Sequence, residues 1–204
     1  QAAKLRVGIS TDADAHYGPV VSAAHRASIE KWIQTGIDEG ADLLLDGRGF
    51  ELQGHEKGFF IGPTLFDNVK PSMTAYQEEI FGPILPILTY RTEDEVIEYI
   101  NAGERPLALY YFGKDSAGRR KILGETHAGG VTLNGTVMHV FQRRLPFGGI
   151  GQSGIGSYLG PGSFERFSHL KPVFSQSKIS VLSQLLPPYS SKTGWLLNLF
   201  KKLL

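Results

Sequence analysis

No cysteine occurs in the 204 residues, which excludes disulfides, thiolate metal sites and a cysteine nucleophile supplied from within this chain. Acidic residues stop at Glu165, and beyond it the charged side chains are Arg and Lys. That excess is local, because 21 basic and 20 acidic residues leave a net charge of +1. A surface that tracks nucleic-acid phosphates needs a marked basic surplus, so no nucleic-acid partner is expected. No apolar run approaches the roughly 20 residues that span a bilayer. The opening QAAKLRVGIS has no signal-peptide core and lacks an initial Met, as a fragment or processed product does. The histidines show no metal-ligand spacing with Asp or Glu, and no metal site is expected.

What remains is an ordinary globular composition, 41% hydrophobic, sufficient for one good core or one domain with appendages. An amphipathic helix is predicted over residues 22–39, from a serine cap through Ala24, Ala27, Ile29, Trp32, Ile33 and Ile37 to a stop at Gly40. ADLLLDG reads as a short buried strand, and GRGFELQGHEKG as a hairpin or loop. FFIGPTLFDNV is broken by Gly62-Pro63 and reads as an irregular strand pair rather than a central strand. ILPILTY is a continuous apolar run with one proline. Thr92-Glu-Asp-Glu95 is a capping box, followed by Val96, Ile97 and Ile100 as a buried face. LALYYFG is a strand, Asp115 caps a helix running to about His127, and GGVTLNG is another strand. This alternation predicts an α/β fold: three layers, with a mostly parallel sheet flanked by helices.

The stretch PFGGIGQSGIG contains a literal G-x-G-x-x-G at Gly149, Gly151 and Gly154. A dinucleotide-binding turn needs a buried strand before it and a carboxylate some twenty residues after it. HVFQRRLP precedes it, with two arginines and a proline where a parallel strand is almost continuously apolar, and Glu165 is the last acid that follows. The loop is therefore not read as a pyrophosphate cradle.

EEIFGP at 78–83, AGGVTLNG at 128–135 and PFGGIGQSGIG at 146–156 recur in this order and at about these separations in the aldehyde dehydrogenase superfamily, which the chain resembles almost to its C-terminus. The resemblance implies that residues 1–168 are the downstream part of a catalytic domain, giving one wall of the cofactor cleft and one of the aldehyde tunnel. Residues of about 5–83, with VGISTDADAHYGPVVS, are similar to methylmalonate-semialdehyde dehydrogenases. Those from about 84 onward, with FERFSHLKPV, are similar to the coniferyl and fatty aldehyde dehydrogenase branch. A chimera joined at EIFGP accounts for the change. Family members attack the aldehyde with a cysteine thiolate, pass hydride to nicotinamide, and leave a thioester for water or coenzyme A to resolve. The resemblance implies that this cysteine, the general-base glutamate and the nucleotide-binding domain belong upstream of residue 1. The expected parent activity is oxidation of an aldehyde with NAD or NADP, NAD favoured, and with coenzyme A as a further acceptor. The rival reading is a truncated or chimeric module that folds and oligomerises without chemistry.

By the same resemblance, Glu79 accepts hydrogen bonds from the nicotinamide-ribose hydroxyls and Phe81 packs against the nicotinamide. The bland alternatives are a surface carboxylate and a core phenylalanine. Asn134, Thr136, His139 and Phe147 are the expected substrate-side residues, with Met138, Phe141 and Leu145 making a tunnel suited to an aromatic or long apolar aldehyde. His139 is either a proton shuttle or a hydrogen-bonded packing residue. Arg143-Arg144 is either an anion site or a solvated pair. Residues 169–176 contain HLKPVF (169–174), which resembles the family strand that joins a partner subunit's sheet, so a homodimer or homotetramer is expected. Residues 177–204 are read as a linker and an amphipathic tail, with Trp195, Leu196, Leu199, Phe200 and Leu203 on one side. Such a tail either docks on protein or lies at a membrane interface, so the expected location is cytoplasmic, with peripheral membrane contact through 193–204 as the alternative.

Overall fold

The computed structural model describes residues 1–176, 178, 186–189 and 191–203. The chain divides into two compact units, Gln1–Tyr99 and Ile100–Leu204.

In the first unit, helix α1 (Ala23–Asp38) begins where Ser22 Oγ accepts the His25 amide at 3.1 Å, satisfying one of the donors that a first turn leaves without an intrahelical partner. Ile29, Ile33 and Gly36 fall on one face and are buried. Ala24 and Ala27, expected on the apolar face, are exposed. The core comprises Ile29, Ile33, Ala41, Ile61, Phe66 and Met73. Full burial of a side chain such as Ile29 or Ile33 contributes about 1.5–3 kcal/mol.

Strands β1 (Asp42–Leu45), β2 (Thr64–Asp67) and β3 (Ile84–Pro86) form a sheet in that order. β1 runs antiparallel to β2 with an irregularity between Leu43 and Leu45, and β2 runs parallel to β3 with Thr64 opposite Ile84. Two expectations change here. β1 alternates between exposed and half-buried positions, so it is an edge strand with one open face and not a buried one. β2 is the central strand of this sheet rather than half of an irregular pair, because Pro63 falls just before its first residue and interrupts no ladder. Helix α2 (Thr74–Gln77) is a single turn whose first amides, Thr74 and Ala75, donate to the Glu39 carboxylate at 2.9 and 3.2 Å. Hydrogen bonding by Thr74, through its side chain first, and by the Ala75 amide holds the Glu39 carboxyl below its ordinary value.

Helix α3 (Glu93–Ala102) carries the division between the units. Thr92 Oγ1 accepts the Glu95 amide at 3.3 Å, while the Glu95 carboxylate accepts from Arg91 at 3.0 Å, one residue before the partner a capping box prescribes. In the second unit, β4 (Ala108–Tyr111) and β5 (Gly130–Leu133) are parallel and joined by helix α4 (Ser116–Glu125). Asp115 caps α4 by accepting the Gly118 amide at 2.6 Å and the Ala117 amide at 3.1 Å, and these bonds hold its carboxyl below the ordinary range. Two of the three strand pairings are thus parallel, and the α/β class stands. Helix α5 (Gly160–Arg166) follows the glycine loop. Among the described residues no strand forms at 169–176, where Leu170, Val173 and Phe174 are exposed.

Helix α6 (Ser191–Leu203) occupies the expected tail. Its apolar residues divide: Leu196 is buried together with Thr193, whereas Trp195, Leu199 and Phe200 are exposed. Most of the linker expected from residue 177, and the side chain of Leu203, lie outside the described residues. Among the described residues no helix is long and apolar enough to cross a membrane.

Candidate functional site

The turn after α2 is built against its residues' preferences. Phe81 has φ +54°, in the left-handed region that a bulky side chain seldom adopts. The residue is 74% exposed, so Phe81 is not the core phenylalanine of the bland reading. Three carbonyls anchor the turn: Phe81 O accepts from His25 Nε2 at 2.9 Å, Gly82 O from the Ile84 amide at 2.8 Å, and Pro83 O from the Thr64 amide at 2.8 Å.

An open cleft of about 850 Å³ runs along this turn, walled by Tyr17, His25, Tyr76, Glu79 and Phe81 among others. Glu79 is exposed, and its carboxylate makes no hydrogen bond or ion pair among the described residues. The tyrosines, in contrast, are committed. Tyr17 donates to the Ile61 carbonyl at 3.0 Å, and burial pushes its phenol up to about 12. Burial, and then the hydrogen bond from Tyr99 at 2.5 Å, raise that of Tyr76. The cleft therefore offers the free Glu79 carboxylate beside an exposed aromatic face, with Glu78 as a second acid on the same lining and the committed tyrosines as its neutral part. Such a surface can hold hydroxyl donors and a flat ring at once.

Sequence reasoning did not single out Tyr17, Tyr76 or His25. His25 carried a readable signal: a histidine in the first turn of α1, where the helix dipole favours acids, calls for a specific partner.

In the second unit, the structure brings His139 and Phe147 together. The His139 ring lies 6.0 Å from that of Phe147 and 6.2 Å from that of Tyr110, and Phe147 meets Tyr158 edge-on at 5.6 Å. His139 is 8% exposed, its Nδ1 is 2.7 Å from Thr132 Oγ1, and its backbone amide donates to the same oxygen at 3.2 Å. This is the placement of a hydrogen-bonded packing residue, although Nε2 is buried and has no hydrogen-bond partner among the described residues. Asn134 follows β5 directly at φ +52°, and its Oδ1 accepts the Gly113 amide at 2.8 Å, tying together the segments that leave β4 and β5. Thr136 is exposed, and its carbonyl accepts the Met138 amide at 2.6 Å. Arg143 and Arg144 are exposed and unpaired among the described residues, as the solvated reading has it.

The glycine loop is closed by paired bonds between Phe147 and Tyr158, at 2.8 and 2.9 Å. Its strands of backbone lie so close that a Cβ at Gly149 would fall 2.1 Å from the Ser153 carbonyl oxygen. The glycines serve the loop's contact with itself, and the G-x-G-x-x-G opens no α-helix: it holds a single 3-10 turn at Gly151–Ser153, and α5 starts only at Gly160. Among the described residues no cluster of His, Asp or Glu is arranged to hold a metal ion.

The aldehyde dehydrogenase family matches residues 1–173, and the chain belongs to that family. Coniferyl aldehyde dehydrogenase of Pseudomonas sp. strain HR199 is 39% identical over 163 residues, covering 80% of this chain and 34% of that protein. A match of that length fits on neither side of residue 84 alone, so the likeness to this branch extends across EIFGP. A Sinorhizobium meliloti 1021 structure, described as a methylmalonate-semialdehyde dehydrogenase complexed with NAD, superposes with a TM-score of 0.78 at 32% identity, covering 89% of this chain and 37% of that one. A Mycobacterium tuberculosis aldehyde dehydrogenase complexed with NAD+ gives 0.76 at 37% identity, with 88% and 36% covered. The fold is that of part of an aldehyde dehydrogenase, and the chain spans about a third of the length of the curated relative and of the two solved structures.

Proposed function

We propose that these residues form the downstream part of the catalytic domain of an NAD-dependent aldehyde dehydrogenase, with Glu79 and Phe81 on the cofactor side and Asn134, Thr136, His139 and Phe147 on the aldehyde side. The observation that carries this reading is the free Glu79 carboxylate beside the outward Phe81 ring on an open cleft. Their chemistry fits a nicotinamide riboside: a carboxylate accepts two vicinal hydroxyls, and the ring limits where a flat heterocycle can swing. When bound, the dinucleotide supplies the hydride acceptor. The chain's own residues orient it and shape the aldehyde's approach. Phe147 presents the tunnel wall, and His139, pinned by Thr132, packs its ring 6.0 Å from that of Phe147. Met138, Phe141 and Leu145 are exposed, a surface suited to an aromatic or long apolar aldehyde. The thiolate comes from outside these 204 residues, which contain no cysteine. Exposed Leu170, Val173 and Phe174 support pairing of residues 169–174 with a second subunit.

In the complete enzyme carrying this segment, Glu79→Gln should weaken NAD binding and slow single-turnover hydride transfer by on the order of tenfold, since a hydrogen bond to a charged group is worth about 1.5–3 kcal/mol. Stopped-flow NADH formation with coniferyl aldehyde measures it, with NADP and coenzyme A as comparison arms. Unchanged hydride transfer and unchanged NAD affinity would make Glu79 a surface carboxylate and remove the reading.

A further inference from the structure

The cofactor-side turn is gripped by one face of α1. Ser22 caps the helix by accepting the His25 amide, which sets His25 in the first turn with its Nε2 2.9 Å from the Phe81 carbonyl, across 56 residues of sequence. A carbonyl only accepts, so Nε2 carries the proton and one tautomer of the ring is selected. One turn further along, Ile29 packs under Gly82 so closely that a Cβ there would sit 2.8 Å from the Ile29 side chain. His25 and Ile29, four apart and therefore on one face, hold adjacent residues of the turn, one by a polar contact and one by an apolar contact.

The three anchors of the turn are not equivalent. The carbonyls of Gly82 and Pro83 are held by backbone amides that nearly any sequence supplies, whereas that of Phe81 is held by a side chain. It is also the one at the disfavoured φ of +54°. A left-handed phenylalanine persists when its surroundings over-determine it, and the bond to His25 fixes the orientation of the peptide that follows Phe81. A histidine at this point of a helix gains nothing from the dipole, and its partner explains it.

We propose that His25 is the positioning residue of the cofactor wall: by holding the Phe81 carbonyl it keeps Phe81 in the left-handed conformation that turns its ring outward and sets the adjoining Glu79 carboxylate on the cleft. This rests on the reading of Glu79 and Phe81 as the nicotinamide-riboside side.

The test compares four forms of the complete enzyme carrying this segment: unaltered, His25→Leu, His25→Asn and His25→Gln, with Glu79→Gln as a parallel control. Loss of one such bond corresponds to about five- to tenfold. His25→Leu should raise the Kd for NAD by that factor, measured by calorimetric titration without aldehyde, and should raise KM for NAD and lower kcat in turnover, with KM for the aldehyde unchanged. His25→Asn keeps a polar side chain but is too short to reach the carbonyl, and should behave like Leu even if the Leu variant folds poorly. His25→Gln extends an amide N–H to the position of Nε2 and should return KM for NAD to within about twofold of the unaltered enzyme. If Glu79→Gln weakens NAD binding while His25→Leu and His25→Asn do not, the proposal is overturned and the Glu79 reading stands. If none of the variants alters NAD binding, both fall together. Equal losses in every kinetic constant without rescue by Gln would make His25 a folding residue only, and would also overturn the proposal.

Discussion

A single methyl group at Gly82 should report how tightly α1 supports the turn at residues 81–83. The backbone of Gly82 lies outside the left-handed region, so alanine is compatible with its conformation. The obstacle is steric: the added Cβ would sit 2.8, 2.9 and 3.2 Å from Cδ1, Cγ1 and Cγ2 of Ile29, itself 0% exposed. Overpacking of this kind costs about 1–3 kcal/mol. Ile29→Ala removes all three offending atoms and costs about 2–5 kcal/mol on its own account, as a buried large-to-small change. In that background the new methyl group enters space already vacated, so its cost should fall nearly to zero. The double mutant should therefore be more stable than the sum of the single changes predicts, by about 1–3 kcal/mol, well outside the ~0.3–0.5 kcal/mol within which independent sites add. Urea unfolding of the four chains, followed by circular dichroism, supplies the cycle. Additivity within about 0.5 kcal/mol would show that the turn does not rest on Ile29, and the packing argument would fail.

Three further outcomes are expected. Because its hydrogen bonds lower the Glu39 carboxyl, the support it gives α2 is complete above the ordinary value of 4.5 and is lost as the pH falls through the lowered native value; in acid titrations by NMR the amides of Thr74 and Ala75 should move together at low pH, and Glu39→Gln should abolish that step, whereas an unchanged step would assign it elsewhere. The 204-residue chain alone should oxidise no aldehyde with NAD or NADP, and NADH formation by a preparation proven free of longer enzyme would refute this. Exposed Trp195, Leu199 and Phe200 near Lys201 and Lys202 should give salt-sensitive sedimentation with anionic vesicles that vanishes when 193–204 are deleted; equal partitioning of the two chains would leave α6 as a packing element.

Much of the frame was legible because its signals are local. Ser22, Thr92 and Asp115 cap their helices through oxygen atoms that reach amides two or three residues away, and such chemistry needs no knowledge of the rest of the chain. Reading β2 depended instead on where Pro63 fell relative to a strand boundary, and a shift of one residue separates a broken ladder from a central strand. Calling β1 buried from LLL alone failed because burial depends on what covers a face. At the site, EEIFGP marked Glu79 and Phe81 by resemblance alone, whereas their exposure on one cleft depends on the fold. The bond between His25 and Phe81, and that between Thr132 and His139, join residues whose neighbours in sequence say nothing of them. Only the fold brings such partners within reach, so side-chain contacts of this kind were the part left unread.

The loop from Phe147 to Tyr158 has the composition of a hinge and the construction of a clasp. Five glycines lie between two residues that exchange both backbone bonds, and Ser153 Oγ bonds both the amide and the carbonyl of Ile150 across the interior. In hydrogen-exchange terms the amides of Phe147, Ile150 and Tyr158 should be slow, even though Ile155 at the tip is 95% exposed. Glycine here gives up its large freedom in the unfolded chain to let backbone lie against backbone. A loop made this way holds its shape through its backbone, and it is stiff for want of side chains rather than because of them.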